Sequence, residues 1–552
     1  MRYYGFILFA LALSAFGQTE TAPPAAVEQK KASVEGVVVH GLTGEPLRRV
    51  NVSVHVMGAP GLTGMVGGMP GSETGAVTDA SGKFSIPNLE PGKYVLSAER
   101  TGFLRTSYGA RSHMQMGTIL ELTAGKELKG LELKLMPQGV VAGRVLDDEG
   151  EPVQGSMIQL QRRQYYRGKQ QWMPAGGGQS DDRGEFRVTG VSPGKYLLQV
   201  RPGWRSAAPV PAKEGEPEMG FTATYYPSGA EAGSASPIEV QPGQELTGLE
   251  VRMVKTRVFR VKGHLYGTDG KPVSQAMIQA SRADDSGQFP GMGRSIHAPD
   301  GTFELTGLTP GTYRVMAVGM VSNRRQLTAT ETVVVSERNV EGVVLRFSEG
   351  VTIPGRVAVE GQEKPSLQQA RVFLMNSELS GIGGGMEPVE EDGTFTLTNI
   401  LPGKYRVQVI HQVTNGYLKR VSVGGREVGD GDFEVEAGSA PEISVLISPK
   451  GGQLTGTVTG KDGRIAGATV LLVPERSKES SLSYRHVTCN QNGEFTAQGL
   501  APGEYKVFAW EAVEGGVWQD PEFRKPFEGK ATSVKVQENG KVSLALEAMS
   551  IP

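Results

Sequence analysis

The chain has 552 residues, with 57 Lys or Arg against 59 Asp or Glu, and the resulting net charge of −2 gives no general attraction to nucleic acid or anionic lipid. Its 76 Gly and 33 Pro stand beside 38% apolar residues, the composition of a turn-rich folded chain and not of a disordered one. The single cysteine, Cys489, excludes an internal disulfide, so each folded unit must be held by its own apolar core.

At the start, Arg2 supplies a positive charge, Ile7 to Phe16 an apolar run too short to span a bilayer, and Ala15-Phe16-Gly17 a small-x-small cleavage site. These predict a signal peptide over residues 1–17, a Pro- and Ala-containing linker over 18–31, and a secreted or periplasmic mature chain with no transmembrane segment.

Beyond the linker one pattern, G-x-F-(x4)-[LVI]-x-P-G-x-Y, recurs five times, starting at Gly82, Gly184, Gly301, Gly393 and Gly493. Its Phe and Tyr are ten residues apart in every copy, from Phe84 and Tyr94 to Phe495 and Tyr505. Apolar residues alternate on both flanks, as in Phe84 and Ile86 or Tyr94, Leu96 and Ala98, which predicts two strands each with one buried face. The Pro-Gly pair between them predicts a type II turn, with Gly at positive φ, and that turn suits an arch from one sheet to another better than a tight hairpin. Asp300, Asp392 and Asn492, with Asp79 and Asp182 in the other copies, mark the turn that launches the Phe strand.

Each copy is preceded by a strand containing a glycine (Gly36, Gly143, Gly263, Gly355, Gly456), a polar turn such as Gly44-Glu45-Pro46, and a second alternating strand, and is followed by a closing run such as Leu131 to Leu135. About seven strands per repeat without a helical period predict an all-β chain of five tandem β-sandwich modules, bounded at 32–136, 137–254, 255–347, 348–448 and 449–552. Short proline-bearing links, Leu135 to Gly139 and Ile447 to Gly451, predict an extended array and a monomer. Cys489, on the strand entering the fifth motif, is expected to be a buried, inert thiol.

The opening V-x-G-x-V strand, the G-x-P turn, D-x-x-G-x-F, L-x-P-G-x-Y and the Ala98 to Phe103 stretch of the first repeat together resemble the carboxypeptidase regulatory-like domain. That resemblance covers the first repeat fully and the others in weaker form. It implies a seven-stranded transthyretin-like (Ig-like) sandwich, grouped with carbohydrate-binding-like folds, whose members serve as appendages, stalks and binding modules. The Leu418 to Phe527 stretch is also similar to the C-terminal part of secreted acidobacterial proteins.

No H-x-x-E zinc pair, G-x-S-x-G elbow, P-loop or twelve-residue calcium loop occurs, so the sequence offers no catalytic block, no metal set and no cofactor. The glycine runs Gly176 to Gly178 and Gly383 to Gly385 read as loop tips. The functional signal that remains is aromatic. In the second repeat, Tyr165, Tyr166 and Trp172 lie in the variable segment from Arg162 to Gln179, and Trp204, Tyr225 and Tyr226 flank a further insertion. Exposed flat rings are surfaces on which sugar faces stack, which makes these six residues candidates for binding a glycan or cell-envelope component. The alternative is that the rings pack the insertion against its sandwich, leaving a purely structural stalk or an accessory partner of an outer-membrane assembly.

Overall fold

The computed structural model describes residues 30–551 except 58–73, 111–114, 116, 167–168, 204–216, 284–291, 297, 322–324, 349, 364, 377–380, 383–385, 430, 437 and 478–482. The proposed signal peptide, nearly all of the linker, Trp204 and the Gly383 to Gly385 run therefore lie outside the described residues. The described chain is almost entirely β, and no helix among these residues is long and apolar enough to cross a membrane.

Around each motif copy the strands form two facing sheets, and a buried apolar cluster draws on both of them. In the first repeat the Phe strand, Lys83–Leu89, pairs antiparallel with the opening strand, Ala32–His40. On its other side the opening strand pairs parallel with the closing strand, Glu127–Leu135. Parallel neighbours need a crossover, and the whole second sheet supplies it. That sheet is built on Asn51–Val56 and on the Tyr strand, Gly92–Glu99. The motif thus bridges the two sheets, as the sequence predicts.

The register explains the recurrent residues. Each opening glycine faces its motif phenylalanine: Gly36 and Phe84, Gly143 and Phe186, Gly263 and Phe303, Gly355 and Phe395, Gly456 and Phe495. A Cβ at Gly263 would sit 2.1 Å from the Val343 carbonyl oxygen and 2.6 Å from the Phe303 ring, so the position admits no side chain. The tyrosine hydroxyl donates back to the carbonyl four residues earlier, from Tyr94 to Glu90 (2.8 Å), Tyr196 to Ser192 (2.6 Å), Tyr313 to Thr309 (2.9 Å) and Tyr505 to Ala501 (2.7 Å), fastening the arch.

The Pro-Gly step is not the type II turn expected. Gly194, Gly311, Gly403 and Gly503 have φ of 149–157°, far from the +80° or so of that turn. The left-handed residue comes earlier, four positions after each Phe: Asn88 (61°), Gly190 (72°), Gly307 (77°), Asn399 (59°) and Gly499 (66°). There the Phe strand carries one residue more than its partner, a β-bulge that Asn and Gly tolerate and most residues do not. A Cβ at Gly190 would meet only the Gln138 side chain at 3.9 Å, so Gly190→Ala isolates the backbone strain. It is expected to destabilise by about 1–2 kcal/mol, read by denaturant unfolding, whereas Asn399→Gly should be close to neutral.

The launching turn also differs in detail. Asp79, Asp181 and Asn490 accept the backbone N–H groups two and four residues on, at 2.8–2.9 Å, so Asp181 and Asn490 hold the turns for which Asp182 and Asn492 were expected. Asp300 and Asp392 accept from the residue two on.

The extended arrangement expected from the short linkers is replaced by a chain that turns back on itself. Ile119 of the first repeat forms a parallel bridge with Asn490 of the fifth. The Glu121 N–H donates to Gln491 Oε1 and the Gln491 amide donates to the Glu121 carbonyl, both at 3.0 Å, while Gln115 Nε2 donates to the Val513 carbonyl at 2.7 Å. Lys93 and then Asn490, each bonded to the Glu121 carboxylate, hold it below the usual carboxylate range. Short linkers fix the angle between neighbours without making it straight. At the first joint the link is itself paired, Leu104 N–H to the Met136 carbonyl (2.9 Å) and Gln138 N–H to the Gly102 carbonyl (3.0 Å).

Candidate functional site: an aromatic hairpin and the cap it meets

The variable segment of the second repeat is a hairpin of Met157–Tyr166 and Lys169–Gln179, so Gly176 to Gly178 lie in a strand and not at a loop tip. Its core face carries Ile158 and Leu160. Its outer face carries Arg163, Tyr165, Gln170 and Trp172, because directly opposed residues of an antiparallel pair share a face and Arg163 faces Trp172 as Tyr165 faces Gln170. The Arg163 guanidinium lies 5.4 Å from the centre of the half-buried Trp172 ring. Tyr166 pairs with Lys169 across the turn.

Tyr225 lies across the sheet from Gln199, on that same outer face. Tyr226 instead packs against the core of the second repeat. Between them and the hairpin, Gln161 and Gln199 are buried and joined by an amide hydrogen bond of 3.1 Å. Of the six candidate rings, the sheet thus gathers Tyr165, Trp172 and Tyr225 on one face.

Tyr165 reaches a second aromatic cluster, built in the fifth repeat. There Val470 to Val473 and Val507 to Trp510 are apolar without alternation, which means that both faces of this sheet are covered. Val470, Leu472, Val507 and Ala509 line the sandwich core; Leu471, Val473, Phe508 and Trp510 point the other way. Over them folds a cap absent from the sequence reading, made of short helical turns at Val517–Gln519, Pro521–Arg524 and Lys525–Lys530. Asp520 starts it, its carboxylate accepting the Glu522 N–H at 2.9 Å with Pro521 in the first helical position.

Trp510 is fully buried at the centre of the cap, stacked on Phe508 at 5.5 Å and edge-on to Phe527 at 5.8 Å. The buried Arg524 donates to the Tyr484 hydroxyl at 2.9 Å and lies 4.8 Å from that ring's centre. Against this surface Tyr165 closes the contact. A Cβ on Gly516 would stand 2.9 Å from the Tyr165 carbonyl oxygen, so glycine permits the approach.

Cys489 is buried in the fifth core, where desolvation pushes its thiol up to about 12, as an inert thiol requires. Among the described residues, no group of three or more His, Cys, Asp or Glu is placed to hold a metal ion.

Residues 33–131 match the family model of the carboxypeptidase regulatory-like domain. No curated protein matches the chain. Among solved structures, the chain is similar to the Bacillus anthracis TIE protein, at 11% identity over 71% of this chain and 68% of that one, with a TM-score of 0.15. It is also similar to GBS52, the minor pilin of Streptococcus agalactiae (13% identity, 41% and 97% covered, TM-score 0.22), and to BcpA, the major pilin subunit of Bacillus cereus (10% identity, 58% and 99% covered, TM-score 0.14). The glycine-facing phenylalanine, the bulge and the arch tyrosine of the first repeat all fall within residues 33–131, the stretch that is similar to the carboxypeptidase regulatory-like domain.

Proposed function

We propose that the protein is a non-catalytic, extracytoplasmic scaffold of five sandwich modules, divided as 32–136, 137–254, 255–347, 348–448 and 449–552, whose fifth module locks onto the first two. The observation that carries this reading is Tyr165: a ring that the sequence offers as a ligand platform is packed against the fifth repeat's aromatic cluster. Its role is then to join modules. A second reading, glycan or cell-envelope binding by the outer face, draws support from Trp172, half-buried beneath Arg163 on the same face as Tyr165 and Tyr225.

One set of substitutions separates the two. Under the scaffold reading, replacing Tyr165, Tyr166 and Trp172 by Ala lowers stability by about 2 kcal/mol or more, since the partly buried rings of Tyr165 and Trp172 are lost, and leaves retention in polysaccharide affinity gels unchanged. A variant that melts with the parent but is no longer retained would reverse the assignment. Tyr225, on that same face, and Trp204 would then be the next rings to replace.

A further inference from the structure

The strand that flanks the Tyr strand at the end of its sheet is short or broken in four repeats. It is Thr106–Ser107 and Ile119–Leu122 in the first, Thr224–Tyr225 and Ile238–Val240 in the second, Phe433–Val435 in the fourth and Thr532–Val536 in the fifth. In the third repeat it is Arg325–Val335, paired with Gly311–Val321 over its whole length without a bulge, and it ends the sheet. An edge strand exposes a row of backbone donors and acceptors, which folded chains blunt with charges, prolines or bulges. The closing strands Glu127–Leu135 and Glu245–Arg252 are blunted in this way, each by a register shift and by charges along it. Residues 330–335 carry neither a bulge nor a proline, and one charge, Glu331.

Two hydrogen bonds fix which backbone groups of this strand point outward. The Ser348 N–H donates to the Thr328 carbonyl at 3.2 Å, so Thr328 turns its polar groups away from the Tyr strand. The Thr312 carbonyl, opposite Val334, accepts from the Ala283 N–H at 2.9 Å and so faces away from Val334. Because the direction alternates along a strand, Thr330, Thr332 and Val334 present their N–H and C=O groups at the edge. Among the described residues, none of those groups has a partner. Thr330 and Thr332 are exposed, and Val334 is 65% exposed. The first repeat shows what such an edge takes. There Ile119, on the equivalent strand, bridges to Asn490, so the edge is met by another sandwich of the same chain.

We propose that residues 330–335 are a pairing edge for a second copy of the chain, the two strands running antiparallel about a two-fold axis at Thr332. In this register Thr332 opposes the partner's Thr332, and Thr330 the partner's Val334, so every outward group is bonded and every facing pair is β-branched. Moving the axis to Glu331 would set two carboxylates directly opposite each other and bring Val334 against Thr328, whose carbonyl Ser348 already occupies. Charge and the covered end of the strand thus select one register. A pairing of this length falls short of the roughly 1,200 Å² of a standard stable interface, so the dimer forms at high local concentration, and the monomer expected from the linkers describes the dilute chain. The pairing stands whether the protein is a scaffold or a glycan binder.

The test is sedimentation velocity of the full chain at concentrations up to about 0.2 mM, beside oxidation of cysteine variants. A sedimentation coefficient that rises with concentration, and a dimerisation constant weakened at least about tenfold by Thr332→Lys, which opposes two ammonium groups at the axis, support the pairing. Thr332 is exposed, so that variant should melt with the parent. The register is read separately. Directly opposed residues have Cα atoms about 5.5 Å apart, within disulfide reach, so Thr332→Cys should crosslink two copies. Thr330→Cys, about four residues from its own copy across the axis, or roughly 14 Å, should not. The native Cys489 is buried and does not compete. A parent that sediments alike at every concentration overturns the proposal and leaves the edge to a strand of another protein. Thr332→Lys within twofold of the parent, or Thr330→Cys crosslinking as readily as Thr332→Cys, overturns it as well.

Discussion

Replacing Trp510 by alanine is expected to destabilise the fifth repeat by about 3–5 kcal/mol, the cost of emptying a fully buried aromatic position. The loss should travel further than the fold of one sandwich. Trp510 lies between the sheet and the cap, touching Phe508, Phe523 and Phe527, and the cap is the surface on which Tyr165 rests. Hydrogen exchange should therefore rise in two places at once, over residues 517–530 and at the end of the second repeat's hairpin, 162–166. Faster exchange confined to the fifth repeat would mean that Tyr165 makes no energetic use of the cap. His486, 5.1 Å from the Trp518 ring, offers an internal comparison, since His486→Ala removes a ring from the rim of the cap and should cost far less.

The second large effect belongs to the opening glycine. Gly263→Ala would drive a methyl group to 2.1 Å from the Val343 oxygen and 2.6 Å from the Phe303 ring, and the obstacle at Val343 is backbone. Strand separation or expulsion of Phe303 must follow. We expect about 3 kcal/mol of destabilisation in the third repeat, measured by calorimetry. Gly270→Ala is the control: φ is 75° there but nothing lies within 4 Å of the new atom, so about 1 kcal/mol of backbone strain is all that should appear. Equal effects from the two would show that contact with Phe303 is not what selects glycine.

How far the sequence could be read follows from which interactions leave a pattern. The sandwich around each motif was legible because Phe, Gly and Tyr are fixed by local register, and a register repeated five times appears as a repeated string. The bulge was equally present, as Asn or Gly four residues after each Phe, but attention to Pro-Gly drew the turn to the wrong residues. The cap had a signal too. Val470 to Val473 and Val507 to Trp510 break the alternation that a one-sided strand keeps, and Asp520-Pro521 is a helix start. The return of the fifth repeat to the first had none. Glu121, Asn490 and Gln491 are ordinary polar residues, and a pairing across 370 positions imposes no periodicity on the chain. The same holds for Tyr165, whose ring reads alike as a ligand platform and as a packing element until its neighbour is known.

That return is the central claim, and a disulfide tests it most directly. A Cβ on Gly467 of the fifth repeat would lie 3.9 Å from the Thr118 Cβ of the first, the spacing of a disulfide, and the Thr118 hydroxyl there is buried without a partner. The native thiol does not compete, because Cys489 is buried and its ionisation is pushed up to about 12. Mild oxidation of the Thr118→Cys, Gly467→Cys double variant in dilute solution should link the two within one chain, seen as a single crosslinked peptide in the monomer after digestion. Free thiols, or crosslinks found only between chains, would contradict the closed arrangement.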